Sequence, residues 1–332
     1  MLQDSRLDKI DLAILGRLAR DSRLSYEKIG SPLNLTRNSI KTRIKRMVSE
    51  GAIQEFVPVL NYAALGYKNT CSIEIGPNNN KDSTRKAIID HLNLIGDIFL
   101  EIEELGGSSV FVLVTKESFD YEKVRSSTVN TLGSDFIQNV FLRHSNSTIQ
   151  QYAYKRPYRL TTTELKVLRS VVLNPQLGIT NVAKEVSISA RTVNRILQRL
   201  KDDGVIEFSI ILNPAALKGF VIFAILIYVN EKESSKEEQK KSPTTHKILE
   251  RLHNEFPEYP LWRGPFSGID NEILVGLLGN DVIAINSMFK KVQSFEGVKR
   301  AELHIFTRLV HHKEWIIREI DNRLRDCDIT KR

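Results

Sequence analysis

The chain has 332 residues, 41% of them hydrophobic, which is enough for two or more domains with separate cores. Its 48 Lys and Arg against 40 Asp and Glu give a net charge of +8, a balance that favours a polyanionic partner. With only Cys71 and Cys327, and with its longest apolar run (Gly219 to Val229) no longer than a strand, the sequence argues against a disulfide framework, a metal cluster or a membrane span.

The opening MLQDSRLDK has no apolar core of the kind a signal peptide carries, so a cytoplasmic location is expected. Next, Ile10, Ala13 or Ile14, and Leu18 form a helical stripe, and Tyr26 to Gly30 a short second helix. A third helix starts behind Thr36, a natural N-cap, and stops at Gly51; the β-branched run that follows predicts a two-stranded wing. Three helices and a wing predict a winged helix-turn-helix, whose third helix enters the major groove of DNA. Further on come TCSIEIG, a helix at Asp82 to Leu94, IFLEIEEL, SSVFVLVT, a helix at Tyr121 to Leu132, and FIQNVFLRHS. This β-α-β-β-α-β order is that of a ferredoxin-like domain.

After a basic, aromatic connector, QQYAYKRPYRL at Gln150 to Leu160, the pattern starts again. Aligning Gly51 with Gly204, an offset of 153 residues, sets GAIQEFVPVLNYAALGY beside GVIEFSIILNPAALKGF. The second copy has its own reader, with Ser189 as cap and Gly204 as stop. It continues through VIFAILIYV, a helix near Thr245 to Glu255, PLWRGPFSG, EILVGLLG, a helix near Val282 to Val292, and RAELHIFTRLV. A charged segment, Asn230 to Lys247, reads as a loop, and a last helix near Lys313 to Arg325 carries Ile316, Ile320 and Leu324. The fold class expected is α+β: two winged helix-turn-helix domains, each followed by a ferredoxin-like βαββαβ domain, plus a C-terminal helix. The boundaries expected are 1–68 and 69–148 for the first unit, 149–159 for the linker, 160–219 and 220–312 for the second unit, and 313–332 for the helix and tail.

A helical wheel of the first third helix puts Ile40, Ile44, Met47 and Val48 on the core side. Asn38, Lys41, Thr42, Lys45 and Ser49 face outward, flanked by Arg37, Ser39, Arg43 and Arg46. Lys and Arg here suit phosphates, with Lys41, Lys45 and Arg46 setting affinity, whereas Asn38 and Thr42 have donors and acceptors for base edges. The candidate contacts are therefore Thr36, Arg37, Asn38, Ser39, Lys41, Thr42, Lys45 and Arg46. In the second unit Val193, Leu197 and Leu200 face the core. Ser189, Arg191, Thr192, Asn194, Arg195 and Gln198 are the candidate contacts, next to a more acidic helix end, KDDG. The plain alternative is that a basic amphipathic helix is only a solvated one.

LDKIDLAIL, DSRLSYEKIG, LTRNSIKTRIKRM, EGAI and ALGY, in this order between Leu7 and Tyr67, resemble the Lrp/AsnC family of transcription regulators. The resemblance implies a winged helix followed by a ferredoxin-like domain that drives dimerisation and often binds amino acids. Partners so implied are double-stranded DNA, a small-molecule effector, and a second copy or the chain's own other half, which would set two reading helices roughly 34 Å apart or a multiple of it. Family members typically carry a Gly-x-x-Asp-like turn near the effector pocket. Here the matching turns are LGGSSV, with Gly106 and Gly107 but no acid, and SGIDNE, with Gly268 and Asp270; each also reads as a plain hairpin turn.

The same tandem layout resembles that of sirohaem decarboxylases, which need His and Arg in the sandwich. Arg263 is the one cation on either second strand of the sandwiches, and no cation stands at the matching Glu103 and Glu104. The histidines are scattered, so no enzyme is expected. A third reading is an architectural chromatin protein that binds DNA with little sequence preference.

Overall fold

A computed structural model describes residues 7–76, 82–116, 121–132, 141–143, 158–230, 243–256, 261–262 and 272–329. The first unit opens with helices α1 (Lys9–Arg20), α2 (Tyr26–Gly30) and α3 (Arg37–Ser49) and strand β1 (Ile53–Leu60). It continues with β2 (Asn69–Ile75), α4 (Asp82–Leu92), β3 (Asp97–Glu104), β4 (Ser109–Thr115), α5 (Tyr121–Leu132) and β5 (Phe141–Arg143). The second unit has α6 (Thr162–Leu173), α7 (Ile179–Val186), α8 (Ala190–Asp202) and β6 (Ile206–Leu212). Then come β7 (Val221–Val229), α9 (Pro243–Glu255), β8 (Leu261–Trp262), β9 (Glu272–Gly279), α10 (Val282–Gln293) and β10 (Val298–His311). Helix α11 (Glu314–Ile329) closes the chain's described part. No described helix is long and apolar enough to cross a membrane.

The expected α+β architecture holds. The strands form one eight-stranded sheet in the order β5-β2-β4-β3-β10-β7-β9-β8. Numbered within each unit, that is the order 4-1-3-2 twice over, the ferredoxin-like order. Alternation along the strands buries one face of each sheet under its own helices: Cys71, Ile73, Ile75, Phe111 and Leu113 pack with Ile88 and Leu92 of α4, and Phe223, Ile225 and Ile227 with Leu252, Ile285 and Met288. The other faces join the readers in a single core that also takes in Trp315, Ile316 and Ile320 of α11.

The run after each reading helix is a strand, but its partner differs from that of a local wing hairpin. β1 pairs antiparallel with β6, so the two-stranded ribbon is made between the units, with Ile53 opposite Leu212 and Leu60 opposite Ile206. The ribbon is close to two-fold symmetric: Asn61 N donates to Val205 O at 2.8 Å and Asn213 N to Ala52 O at 3.1 Å. The first strand is one residue longer, and a bulge at Gln54 absorbs the difference. One chain thus pairs its own halves.

The sheets meet where β3 runs antiparallel to β10. Three acids of β3 face Arg308 and His304 of β10. Arg308 Nη1 lies 2.6 Å from Glu103 and 3.2 Å from Glu101, and His304 Nδ1 lies 2.9 Å from Glu104. Glu101, 1% exposed, also accepts from Arg85 Nε of α4 at 2.6 Å and meets His312 Nε2 at 3.3 Å. Burial pushes this carboxyl up, but the hydrogen bonds from His312 and Arg85 and the charges of Arg85 and Arg308 outweigh it and hold its pKa at about 2. Glu103 and Glu104 therefore meet Arg308 and His304 on a strand some two hundred residues away.

Helix α11, which has no counterpart among the described residues of the first half, packs on α6 and ties into the first sandwich. Arg169 Nε donates to Asp321 at 2.6 Å, Lys116 to Glu319 at 2.5 Å, and Arg323 to Leu65 O. The expected linker falls largely outside the described residues, as do most of the charged loop 230–247, Arg263, Gly268 and Asp270.

Candidate nucleic-acid interface

Both reading helices are built the same way. Thr36 Oγ1 accepts from Ser39 N at 3.2 Å and Ser189 Oγ from Thr192 N at 3.1 Å, each cap residue having an extended backbone. Before each cap, one residue adopts the left-handed region, Asn34 with φ 53° and Ser187 with φ 57°. Leu35 N then donates to Gly30 O at 3.1 Å and Ile188 N to Ala183 O at 3.0 Å, which fixes the turn from the second helix to the third. These pairs are one repeat apart. Gly51 and Gly204, with φ of 78° and 66°, end the helices and turn the chain into the ribbon.

Ile40, Ile44 and Met47 are buried, matched by Val193, Leu197 and Leu200. Val48 falls outside this stripe and is 44% exposed, contrary to the helical-wheel expectation; its counterpart is Lys201, which ion-pairs with Asp21 at 2.7 Å, so the position lies at the rim of the core. Asn38, Lys41, Thr42 and Lys45 are exposed, as are Arg191, Asn194, Arg195 and Gln198. Arg37 is also exposed and meets Glu27 of α2 at 3.2 Å. Ser39 and Thr192 are half-buried at the caps, and Gln198 Nε2 donates to Asp202 at 2.7 Å.

Arg46, expected to set affinity on the outer face, turns toward α1 and keeps 34% of its side chain in solvent. It pairs with Asp11 of α1, whose side chain is 0% exposed, and Arg43 Nη1 reaches the same carboxylate at 2.8 Å and Asp8 at 2.7 Å. Asp8 and Asp11 form the capping box of α1, so one acidic pair caps the first helix and grips the third. Burial raises the Asp8 carboxyl, but the Asp11 amide and Arg43 outweigh this and lower it overall. The second unit repeats the device: Thr161 and Glu164 cap α6, and Glu164, 1% exposed, pairs with Arg199. Sequence patterning missed these acids, although Asp11 lies on the same helical face as Ile14, Leu15 and Leu18.

The two readers are also locked to one another. Arg23 donates to Pro175 O and Leu177 O, both at 2.8 Å, and stacks over Phe208 with its guanidinium 5.0 Å from the ring centre. Its counterpart one repeat on, Gln176, donates back to Ser22 O at 3.2 Å. Ser209 Oγ adds a bond to Ala19 O at 2.8 Å. The other candidate site is less built. Gly106 and Gly107, with φ of 105° and 91°, form the β3–β4 hairpin turn, closed by Glu104 N to Ser108 O at 2.9 Å. That geometry accounts for both glycines.

Residues 7–48 match the model of the AsnC-type helix-turn-helix domain, and residues 160–207 that of a winged helix-turn-helix DNA-binding domain. A Pyrococcus furiosus protein named as an uncharacterized HTH-type transcriptional regulator is 38% identical over 95 residues, 28% of this chain and 64% of that protein. The proline dehydrogenase transcriptional activator of Rhizobium radiobacter is 29% identical over 133 residues, 39% of this chain and 83% of that protein. The chain matches between about half and two thirds of the length of the first of its curated relatives, 64% of one and 47% of the next. Among solved structures, the siroheme decarboxylase NirDL aligns over 96% of this chain and all of its own, with 14% identity and a TM-score of 0.45. A likeness at that level carries no function to this chain. The resemblance to Lrp/AsnC regulators read from the first half is borne out, and the first reader is an AsnC-type helix-turn-helix.

Proposed function

We propose, with the AsnC-type reader and the second winged reader joined to it as premise, that the chain is a sequence-specific DNA-binding regulator of transcription. Helices α3 and α8 enter the major groove of double-stranded DNA. The observation that carries this reading is the pair of equally capped helices, each exposing a face of Lys, Arg, Asn, Thr or Gln side chains away from its core. On α3, Lys41 and Lys45 neutralise phosphates, Arg37 adds charge beside Glu27, and Asn38 and Thr42 read base edges. Thr36 and Ser39, and Ser189 and Thr192, set the helix N-termini whose backbone N–H groups face a phosphate. On α8, Arg191, Asn194, Arg195 and Gln198 form the reading face. The two halves of one chain supply the pair of readers that a homodimer would otherwise supply.

The test is duplex binding by fluorescence anisotropy, on a site selected from a random pool, with wild type and a Lys41→Ala/Lys45→Ala variant. Loss of affinity on every duplex is expected for the variant; unchanged binding would overturn the assignment of the face. Adding amino acids to the same titration tests the effector expectation attached to Gly106, Gly107, Gly268 and Asp270, which a shift in affinity supports.

A further inference from the structure

We infer that one chain reads an asymmetric duplex site made of two unlike half-sites, bound in a single orientation. This rests on the DNA-binding reading above and deepens it. The scaffold of the two readers is close to two-fold symmetric. The mirrored bonds Asn61 to Val205 and Asn213 to Ala52, the left-handed residues Asn34 and Ser187, and the buried pairs Asp11–Arg46 and Glu164–Arg199 all recur about one repeat apart. Both helices therefore reach a duplex in the same pose, at inverted half-sites.

The faces they present do not share this symmetry. At the four outward positions, Asn38 is matched by Arg191, Lys41 by Asn194, Thr42 by Arg195 and Lys45 by Gln198, all exposed. Every pair differs in base chemistry. Asn is suited to the N6 and N7 edge of adenine, and Arg to the O6 and N7 edge of guanine, so Asn38 and Arg191, taking equivalent places, select different bases. A homodimer has no such freedom, because identical faces impose a palindrome. Here the two halves of the site are independent.

The spacing, in contrast, is fixed. The β1–β6 ribbon, Arg23 on Pro175 and Leu177, Gln176 on Ser22, and Lys201 on Asp21 leave the readers as one body with a common core. An asymmetric site has a direction along the duplex, so it also fixes on which side of the site the second unit and α11 stand. That supplies a regulator with polarity toward the neighbouring sequence, which a two-fold symmetric dimer on a palindrome lacks.

The experiment is selection of bound duplexes from a random-sequence pool by the full chain, with stoichiometry read by native mass spectrometry. The expected result is a motif with two unlike halves, occupied by one chain per duplex. A quadruple variant, Arg191→Asn, Asn194→Lys, Arg195→Thr and Gln198→Lys, gives α8 the four outward residues of α3. All four positions are exposed, and circular dichroism checks the fold; its selected motif should become an inverted repeat of the first half. As a second measurement on wild type alone, replacing the second half-site by an inverted copy of the first should weaken binding by about tenfold or more. A palindromic or single-half motif from wild type, or equal affinity for the replaced site, overturns the asymmetric site while leaving DNA binding intact. Failure to enrich any motif overturns the functional reading itself.

Discussion

Asp11 is the group whose neighbours best separate structural from DNA-contacting arginines. Its carboxylate is 0% exposed and is held by Arg43 at 2.8 Å, by Arg46, and by Asp8 N at 3.1 Å, while Arg43 and Arg46 keep 25% and 34% of their side chains in solvent. Replacing Arg46 by Ala leaves Asp11 with Arg43 and the cap, so the cost is about 1 kcal/mol, the value of one partly exposed charged hydrogen bond. Replacing both arginines by Ala strands a buried carboxylate, and the cost rises to about 3–5 kcal/mol. Adding Asp11→Asn to that double variant removes the stranded charge and recovers part of the loss, so the effects are strongly non-additive. Urea unfolding followed by circular dichroism measures this series through its midpoints. The same proteins, kept well below their midpoints, are titrated with the selected duplex, where Arg46→Ala should bind like wild type. If Arg46→Ala unfolds at the wild-type midpoint but binds DNA tenfold more weakly, Arg46 is a phosphate contact and the structural assignment is wrong.

Other outcomes follow from the same geometry. The Lys41→Ala/Lys45→Ala variant should lower the slope of log affinity against log salt by about 2, which anisotropy over a potassium chloride series reads directly. Glu101, with an ordinary value of 4.5 lowered to about 2 in the fold, stabilises the β3–β10 seam fully above pH 4.5; that contribution, on the order of 3 kcal/mol, is lost as pH falls from 4.5 through 2. Arg308→Ala should move the acid transition to higher pH, seen by hydrogen exchange along β3. A Cβ at Gly30 would stand 2.4 Å from Leu35 O, so Gly30→Ala should cost about 1–3 kcal/mol in thermal unfolding. Gly66, with φ 79° and Arg323 Nη2 3.0 Å from a Cβ position, should also lose stability as Ala, by about 1–2 kcal/mol.

Much of the fold was legible because it is written in local signals. Thr36 and Gly51, and Ser189 and Gly204, mark where the reading helices begin and end, and alternation in TCSIEIG or VIFAILIYV marks strands with one face on helices. The repeated Asn and Ala-Ala-Leu run showed that the second half copies the first. What was not legible depends on which edge meets which edge. A β-branched run after a stop glycine has the same pattern whether it folds back into a hairpin or pairs with a strand 150 residues away, so the β1–β6 ribbon was read as two local wings. The partners of Glu103 and Glu104, Arg308 and His304, lie about two hundred residues away on the other unit, where no local pattern points to them. The pairing of Arg46 with Asp11 was not legible because a helical wheel records direction, not the buried acid that a neighbouring helix brings to it. Arg23 and Gln176 stand one repeat apart, and that equivalence is the one signal that could have pointed to their shared role in joining the readers.

The β1–β6 ribbon also makes the pairing of the two readers an intramolecular event. A regulator assembled from two separate chains loses readers as its concentration falls toward the dissociation constant of the dimer, and it can exchange subunits with paralogues in the same cell. On the proposed reading, with both readers on one polypeptide joined by this ribbon, their pairing does not depend on abundance, and mixed pairs with a foreign reader do not arise through this contact. If one chain is the DNA-bound unit, as the asymmetric-site inference holds, occupancy of the site rises with the first power of protein concentration rather than the second, so a few copies give a graded response where a dissociable dimer gives a threshold.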